Sequence, residues 1–425
     1  MIRTFTVLGG GSAYAPGLLQ ALLRHPGTLG LESIRLYDLD PARAQLIARL
    51  GTGLSRAAGS GLRIEAAGTL EDAIRGTDAI LNSTRPGGLE ARRVDETLPL
   101  AFGVPGQETV GPGGFFYALR SIPEALRAAA LRDRLAPGAW WLNYTNPSNI
   151  VSQALLDQGH GKVIGLCDQS AEDLHALAEA SGRTGDWTFA CSGLNHATWY
   201  SGLEMDGRPW APPPGLAPPE GLDAEHRLRF VLSAAMAAEH PGFWPNSYLP
   251  YYRDPQAFVA LARQGPPRSE VILKALPDYY AHFEAEAARD RPELRKHRGA
   301  AGFGDLAVTV LEALQGERPA PLVLNLPDGG ATGLFAPDTV AELPAALSRA
   351  GAAARPAGPL PPGTEGLLRR LEDYQRLTAQ AAVLGGGARL EAALAANPLV
   401  PDAATARALL REARSRYGGL LEALA

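Results

Sequence analysis

Apolar residues arrive in short blocks over the first part of the chain. The runs TFTVLG, SIRLYDLD, LRIEAAG, TDAILNST, AWWLNYTNP and KVIGLCD are rich in β-branched and aromatic residues and are bounded by turn formers, the pattern of buried strands. Between them, PGLLQALLRH, PARAQLIARLGTGLSRA and RSIPEALRAAALRDRLA repeat apolar positions at spacings of three and four, the signature of helices with one buried stripe. Alternation of this kind up to about residue 166 predicts an α/β fold with a Rossmann-like, doubly wound parallel sheet and right-handed crossovers.

Past residue 200 the alternation stops. APPPGLAPPEG reads as a surface loop, and helical patterns around 226–240 and 254–285 have no parallel strands between them. A Gly/Pro-rich stretch at 351–364 precedes an Ala-, Leu- and Arg-rich tail, 365–425, which predicts two or three packed helices. The expected division is an N-terminal sheet domain, 1–195, followed by a C-terminal mixed α+β domain, 196–425, that carries substrate contacts and self-association. No internal repeat is present.

A chain of 425 residues exceeds what one core usually organises, in keeping with two domains. Hydrophobic residues make up 46% and charged residues 20%, so the chain can bury a large core and is unlike a disordered one. The net charge of −5 is spread over mixed signs, which argues against nucleic acid or anionic lipid as a partner. The N-terminal apolar run is too short for a signal segment and leads into a glycine turn. No stretch reaches the roughly 20 apolar residues of a membrane helix. Only Cys167 and Cys191 are present, too few for a disulfide framework and suited to a reducing cytoplasm.

Candidate chemistry starts at the first turn. Gly9, Gly10 and Gly11 follow the first strand directly and precede a helix, so the backbone can approach a pyrophosphate at a helix N-terminus. Ser12 is placed to cap that helix, and Tyr14 stands where G-x-G-x-x-G has its last glycine. Asp38, closing the second strand in RLYDLD, can accept from ribose hydroxyls and repel a 2′-phosphate, which selects NAD over NADP. The plainer reading is a glycine turn with Asp38 capping the next helix. Later strand ends carry NYTNPSN at 143–149, GLCDQS at 165–170 and GLNHATW at 193–199. Ligands bind at such carboxyl ends, and Cys167 with His196 supplies a thiolate and an imidazole for a divalent metal in an open, catalytic site. Each alone also reads as a buried hydrophobe or a core histidine.

With those residues in view, the chain resembles glycoside hydrolase family 4, the NAD- and divalent-metal-dependent glycosidases that include 6-phospho-glucosidases. The resemblance runs in order through GGGSAY at 9–14, RPGG at 85–88, RRVDE at 92–96, GQETVGPGG at 106–114, TNPSN at 145–149, GLNHATW, NSYLPYY at 246–252 and PLVLNLPDGG at 321–330. It implies metal ligation by Cys167 and His196, with Mn²⁺ or a similar ion although thiolates favour softer metals, and a substrate-facing Asn146. It implies transient oxidation at carbon 3 by NAD⁺, proton abstraction at carbon 2 and elimination of the aglycone. Tyr248 takes the place of the base, with Tyr251 and Tyr252 close in sequence, and a cation nearby is expected to depress its pKa. Asp168 takes the place of the general acid. Arg92 aligns with a phosphate-contacting arginine, Arg268 and Arg298 are further candidates, and Glu108 belongs to the pocket without a role. RPGG and GQETVGPGG look closer to the β-type enzymes, so 6-phospho-β-glucosidase is the expected activity. The CDQS sequence departs from their Cys-Asn, and from the Cys-Asp-Met-Pro of the α-type. A homodimer or homotetramer is the implied assembly. The alternatives are a 6-phospho-α-glucosidase or unphosphorylated glycosidase of the same family, an NAD-dependent hydroxy-acid or sugar dehydrogenase, and last a non-catalytic NAD sensor.

Overall fold

The computed structural model describes residues 1–25, 29–183, 185, 187–213, 215–298 and 301–421. Its strands are β1 (Thr4–Leu8), β2 (Ser33–Tyr37), β3 (Arg63–Ala66), β4 (Ala79–Asn82), β5 (Trp140–Asn143), β6 (Val163–Gly165), β7 (Trp187–Leu194), β8 (Ala197–Met205), β9 (Arg208–Pro209), β10 (Phe243–Pro245), β11 (Ala320–Pro327), β12 (Val340–Ser348) and β13 (Gly351–Ala354). Its helices are α1 (Ala15–Arg24), α2 (Pro41–Ala57), α3 (Leu70–Ile74), α4 (Gly88–Thr97), α5 (Gly111–Leu135), α6 (Ser148–Asp157), α7 (Gln169–Ala180), α8 (Ala224–Glu239), α9 (Pro250–Arg253), α10 (Pro255–Ala262), α11 (Arg268–Ala287), α12 (Ala301–Gln315), α13 (Glu365–Leu384), α14 (Gly387–Ala396) and α15 (Ala403–Tyr417).

Strands β1 to β6 are parallel and lie in the order β3-β2-β1-β4-β5-β6. Helices cover both faces, so these strands are apolar nearly throughout. Phe5, Ile34, Ile80, Trp141 and Ile164 are fully buried. One core lies between the sheet and α1, α2, α11 and α12, and the other packs α5, α6 and the tail helices α13 to α15. The alternating pattern of the sequence is therefore the doubly wound sheet it predicted, and the tail forms three helices.

The C-terminal half returns to the same sheet. Strand β11 pairs antiparallel with β6 where Asn325 faces Gly165, β12 pairs with β11, and β13 with β12, giving nine strands. A second, antiparallel sheet is ordered β10-β8-β7, with β9 on β8. A cut at 195/196 falls in the turn of the β7–β8 hairpin, and β11 to β13 lie beyond it in a sheet begun before it. Sequence periodicity did not announce these three strands because they are antiparallel and carry no strand–helix–strand signature, with prolines at 321, 327 and 344. Among the described residues, no helix is long and apolar enough to cross a membrane.

The last helix is fastened to the middle of the chain by a buried ion pair. Arg120 on α5 makes a two-pronged contact with Asp95 on α4, at 3.0 and 2.7 Å, and the Tyr417 hydroxyl at the end of α15 donates to Asp95 at 2.5 Å. Arg120 also donates to the Pro86 carbonyl at 3.2 Å, which ties the pair to the RPGG turn. Removing one partner of such a pair strands the other charge away from water. Arg120→Met is expected to destabilise the protein by about 3–5 kcal/mol, read as a lowered midpoint of urea unfolding.

Candidate functional site

The parallel strands all end on one side, and the site is built there. Strand β1 lies between β2 and β4, so the chain crosses to opposite faces on its two sides and leaves a crevice at its carboxyl end. Gly9 turns out of β1 with φ +86°. Gly9 and Gly10 both donate to the Tyr37 carbonyl, at 2.9 and 3.0 Å. A Cβ at Gly9, Gly10 or Gly11 would stand 2.8 Å from Ser83 O, 2.8 Å from Leu36 Cβ or 2.9 Å from Asp38 Cγ, so a side chain at any of them would displace the turn. The Asp38 carboxylate accepts from Gly11 N and from Asp40 N, each at 3.0 Å. It does not cap α2. That role belongs to Asp40, which accepts from Arg43 N at 3.1 Å, and so Asp38 remains beside the glycine turn, half-buried. Ser12 does not cap α1 with its side chain either, because the helix begins three residues later with Tyr14 at its N-cap, and Ser12 contributes its carbonyl to Ala15 N at 3.1 Å.

Cys167 and His196 meet at the neighbouring strand ends. Cys167 follows β6, and His196 sits in the tight turn between β7 and β8 with φ +65°, a conformation rare for a residue with a Cβ. The Cys167 Sγ lies 3.6 Å from His196 Nε2. That separation is the edge of a tetrahedron around an ion about 2.3 Å from sulfur and about 2.1 Å from nitrogen. Burial, with help from the Arg229 charge, pushes the imidazole down to about 3, so His196 is neutral and keeps a lone pair for a ligand. Burial and the charges of Glu342 and Asp168 push the Cys167 thiol well above its usual range, and a bound cation would reverse that. Next to them, Asn195 Oδ1 is buried without a hydrogen-bond partner. Among the described residues no third His, Cys, Asp or Glu joins the pair, which leaves an open coordination sphere. The donor set fits a divalent ion that keeps positions for ligand oxygens.

Tyr248 covers the pair. Its ring lies 4.3 Å from the His196 ring, centroid to centroid, and the Arg229 guanidinium sits over the same Tyr248 ring, 3.9 Å from its centroid. The segment is fixed by its neighbours: Ser247 N donates to Asp173 at 3.1 Å, Tyr248 N to Asn246 Oδ1 at 3.0 Å, and Arg229 donates to Ser247 O and Oγ at 2.9 and 2.7 Å. Burial pushes the phenol up to about 12 even though Arg229 favours the phenolate. The expected depression is thus overturned: the cation is present, but desolvation outweighs it. Burial also raises Asp168, at the N-cap of α7 without a side-chain capping bond, and it pushes Glu172, one turn further on, up to about 7 with the charges of Asp168 and Asp173 adding to it.

A cationic wall faces this group. The glycines of GQETVGPGG allow the segment to press on α4 and on itself, since a Cβ at Gly106 would overlap the Glu96 carbonyl and one at Gly113 the Gln107 carbonyl. Glu108 is thereby set between Arg85, which donates to it, and Arg92, at 2.8 Å. Burial works against the Glu108 carboxylate, but Arg85 and Arg92 outweigh it and hold its pKa below the usual range. Arg92 is shared with Glu96 at 2.7 Å, and Glu96 in turn accepts from Ser269 N and Oγ at 2.9 and 2.6 Å. Arg298 lies 4.8 Å over the Tyr14 ring. Among the described residues no carboxylate is within salt-bridge distance of it, and burial together with the charges of Arg92 and Arg85 lowers its pKa.

Comparison with known proteins decides the family. The model for family 4 glycosyl hydrolases matches residues 4–181, and that for their C-terminal domain matches 191–400. The chain belongs to glycosyl hydrolase family 4. It is 27% identical to a maltose-6′-phosphate glucosidase of Bacillus subtilis strain 168, covering 96% of this chain and 94% of that one. It is 26% identical to a 6-phospho-β-glucosidase of Escherichia coli K12, covering 95% and 93%. A crystal structure of a 6-phospho-α-glucosidase from gut microorganisms, in complex with NAD and Mn²⁺, superposes with a TM-score of 0.90 at 26% identity over 99% of both chains.

In this family 4 glycosyl hydrolase, the adjacent Cys167 and Asp168 come together with His196 and Tyr248 from three places in the sequence. Asn146 lies at the end of β5 in a cis peptide with Pro147 and accepts from Ser148 N at 3.3 Å. Arg92 and Arg298 face Glu108, whereas Arg268 is half-exposed, paired with Asp223 at 2.9 Å, and reaches the cluster only through its charge on Glu172. Tyr251 stacks on Phe258 and donates to Glu225 at 2.8 Å, and Tyr252 packs into the main core, leaving Tyr248 as the one of the three against His196. Both cysteines are free thiols. Arg85, Arg229, Glu172 and Glu342 were not singled out from the sequence. Arg85 stands in the quoted RPGG motif and was legible there, but nothing local marks Arg229 in a helix or Glu342 in a strand.

The buried His196 makes stability depend on pH in a definite direction. Its folded pKa is depressed from about 6.5, so between there and about 3 the unfolded chain binds the extra proton and stability is lost as pH falls. Relative to His196→Asn, the metal-free protein should lose up to about 1.4 kcal/mol of unfolding free energy per pH unit below 6.5. Urea unfolding of both proteins between pH 7 and pH 4.5 checks this, and parallel curves would place His196 in water.

Proposed function

We propose that the chain hydrolyses 6-phosphorylated glucosides, with NAD at the Gly9–Gly11 turn beside Asp38 and a divalent cation at Cys167 and His196. The observation that carries this reading is the tilted contact of the Tyr248 ring with the His196 ring, centroids 4.3 Å apart, beside the 3.6 Å Cys167–His196 pair. When bound, NAD⁺ would supply a hydride acceptor for carbon 3 of the sugar that gives the hydride back once water has added at carbon 1 and a proton has returned to carbon 2, so that no net oxidation remains, and the cation would supply Lewis-acid polarisation of the sugar oxygens. A ketone at carbon 3 acidifies the proton on carbon 2.

The protein's own groups then move protons. Tyr248 takes the carbon-2 proton as phenolate, a form that Arg229 over its ring favours. Asp168, kept protonated at higher pH by burial, gives a proton to the departing oxygen so that the aglycone leaves neutral. Asn146 is placed to accept from or donate to a sugar hydroxyl. Arg298 supports the phosphate: a half-buried guanidinium near Arg92 and Arg85, with no carboxylate within salt-bridge distance among the described residues, is short of negative charge, and a phosphomonoester dianion supplies it. RPGG and GQETVGPGG favour the β-anomer.

The test is release of p-nitrophenol from the β- and α-glucoside 6-phosphates with NAD⁺, Mn²⁺ and reductant each present or omitted. Release should require all three and incorporate solvent deuterium at carbon 2. Net NADH accumulation without release would instead establish a dehydrogenase. Tyr248→Phe should lower kcat at least about 100-fold with little change in KM. Arg298→Gln should raise KM for phosphorylated substrate about 10- to 100-fold and leave the NAD⁺ dissociation constant unchanged. A matching loss of NAD⁺ affinity would assign Arg298 to the cofactor's pyrophosphate.

A further inference from the structure

We propose that Glu342 is the outer carboxylate of the Cys167–His196 cation site, holding the turn that carries His196 in place through Asn195 and Thr198 and acting as a buried countercharge. The inference rests on reading that pair as a divalent-cation site.

Glu342 lies on β12, in the large sheet, and reaches across to the β7–β8 turn of the small one. Its Oε1 accepts from Asn195 Nδ2 at 2.9 Å, and its Oε2 accepts from the Thr198 hydroxyl. These two residues bracket His196, whose backbone is in the left-handed region at φ +65°. A non-glycine residue keeps that conformation only where the surroundings fix it, and one carboxylate gripping both flanks does so. Thr198 Oγ1 also lies 2.9 Å from the Leu194 carbonyl, which closes the turn on itself. The same carboxylate thus holds the turn that carries His196 from both sides.

Its charge is the second argument. Glu342 is 1% exposed, and its hydrogen bonds come from two neutral side chains. Among the described residues no Lys or Arg lies within salt-bridge distance of it. Burying a carboxylate with neutral donors alone is costly, and the nearby cation site offers the compensating charge. This accounts for a site in which, among the described residues, two protein side chains of metal-binding type meet without a third. The outer carboxylate supplies negative charge without occupying a coordination position, which leaves room for sugar oxygens.

Cobalt(II) is a suitable probe, because its thiolate charge-transfer absorption reports the bond to Cys167 directly. Titrated without oxygen into the reduced protein, it should give that absorption in the wild type and not in Cys167→Ser. Glu342→Gln keeps the volume and removes the charge. It should raise the cobalt dissociation constant about 10- to 100-fold and shift the charge-transfer band, with NAD⁺ affinity within twofold of wild type. Cobalt affinity and band unchanged in Glu342→Gln would overturn the proposal, even if its thermal midpoint fell, since Glu342 would then serve the fold alone. If Glu342→Gln fails to fold, Asn195→Ala decides by the same two readings, because it cuts the carboxylate's hold on one side of the His196 turn and leaves the Thr198 contact. Absence of the band in the wild type would overturn the cation-site reading itself and this proposal with it.

Discussion

Parallel pairing of β1 to β6 aims six strand ends the same way, and the chemistry of this protein depends on that constraint. A parallel strand must be followed by a crossover, so each loop at the carboxyl edge is free to carry polar residues while the strands stay apolar. The glycine turn after β1, Asn146 after β5 and Cys167 after β6 are consecutive uses of one edge. The antiparallel strands β11 to β13 extend the sheet past β6 and bring Glu342 to the same region from the far end of the chain. Fold and site are coupled there: the strand that widens the core also grips the turn bearing His196.

Burial sets the electrostatic character of the site. Arg92, Arg229 and Glu342 are buried and Arg85, Glu108 and Asp168 are partly so, and an unpaired charge away from water is costly. Most are compensated in pairs, as Glu108 is by two guanidiniums. Arg298 and Glu342 stand out because their compensation by protein is incomplete. The same desolvation explains why Tyr248 is held above the ordinary phenol range with a guanidinium against its ring.

Local patterns in the sequence determined the doubly wound sheet, the three tail helices, the glycine turn and the polar strand ends, because each is encoded within a few residues of itself: periodicity of two or 3.6, a glycine where no Cβ fits, a Cys directly after an apolar strand. Its run of motifs determined the family. Only the tertiary structure decided that Asp40 and not Asp38 caps α2, that Tyr248 and not Tyr251 or Tyr252 faces His196, and that Arg268 stays at the rim with Asp223. It alone joined Glu342 to Asn195 across 147 positions and laid Arg229 over Tyr248. Those contacts link elements far apart in the chain, and their geometry follows from how sheets and helices pack, for which no short stretch of sequence carries a mark.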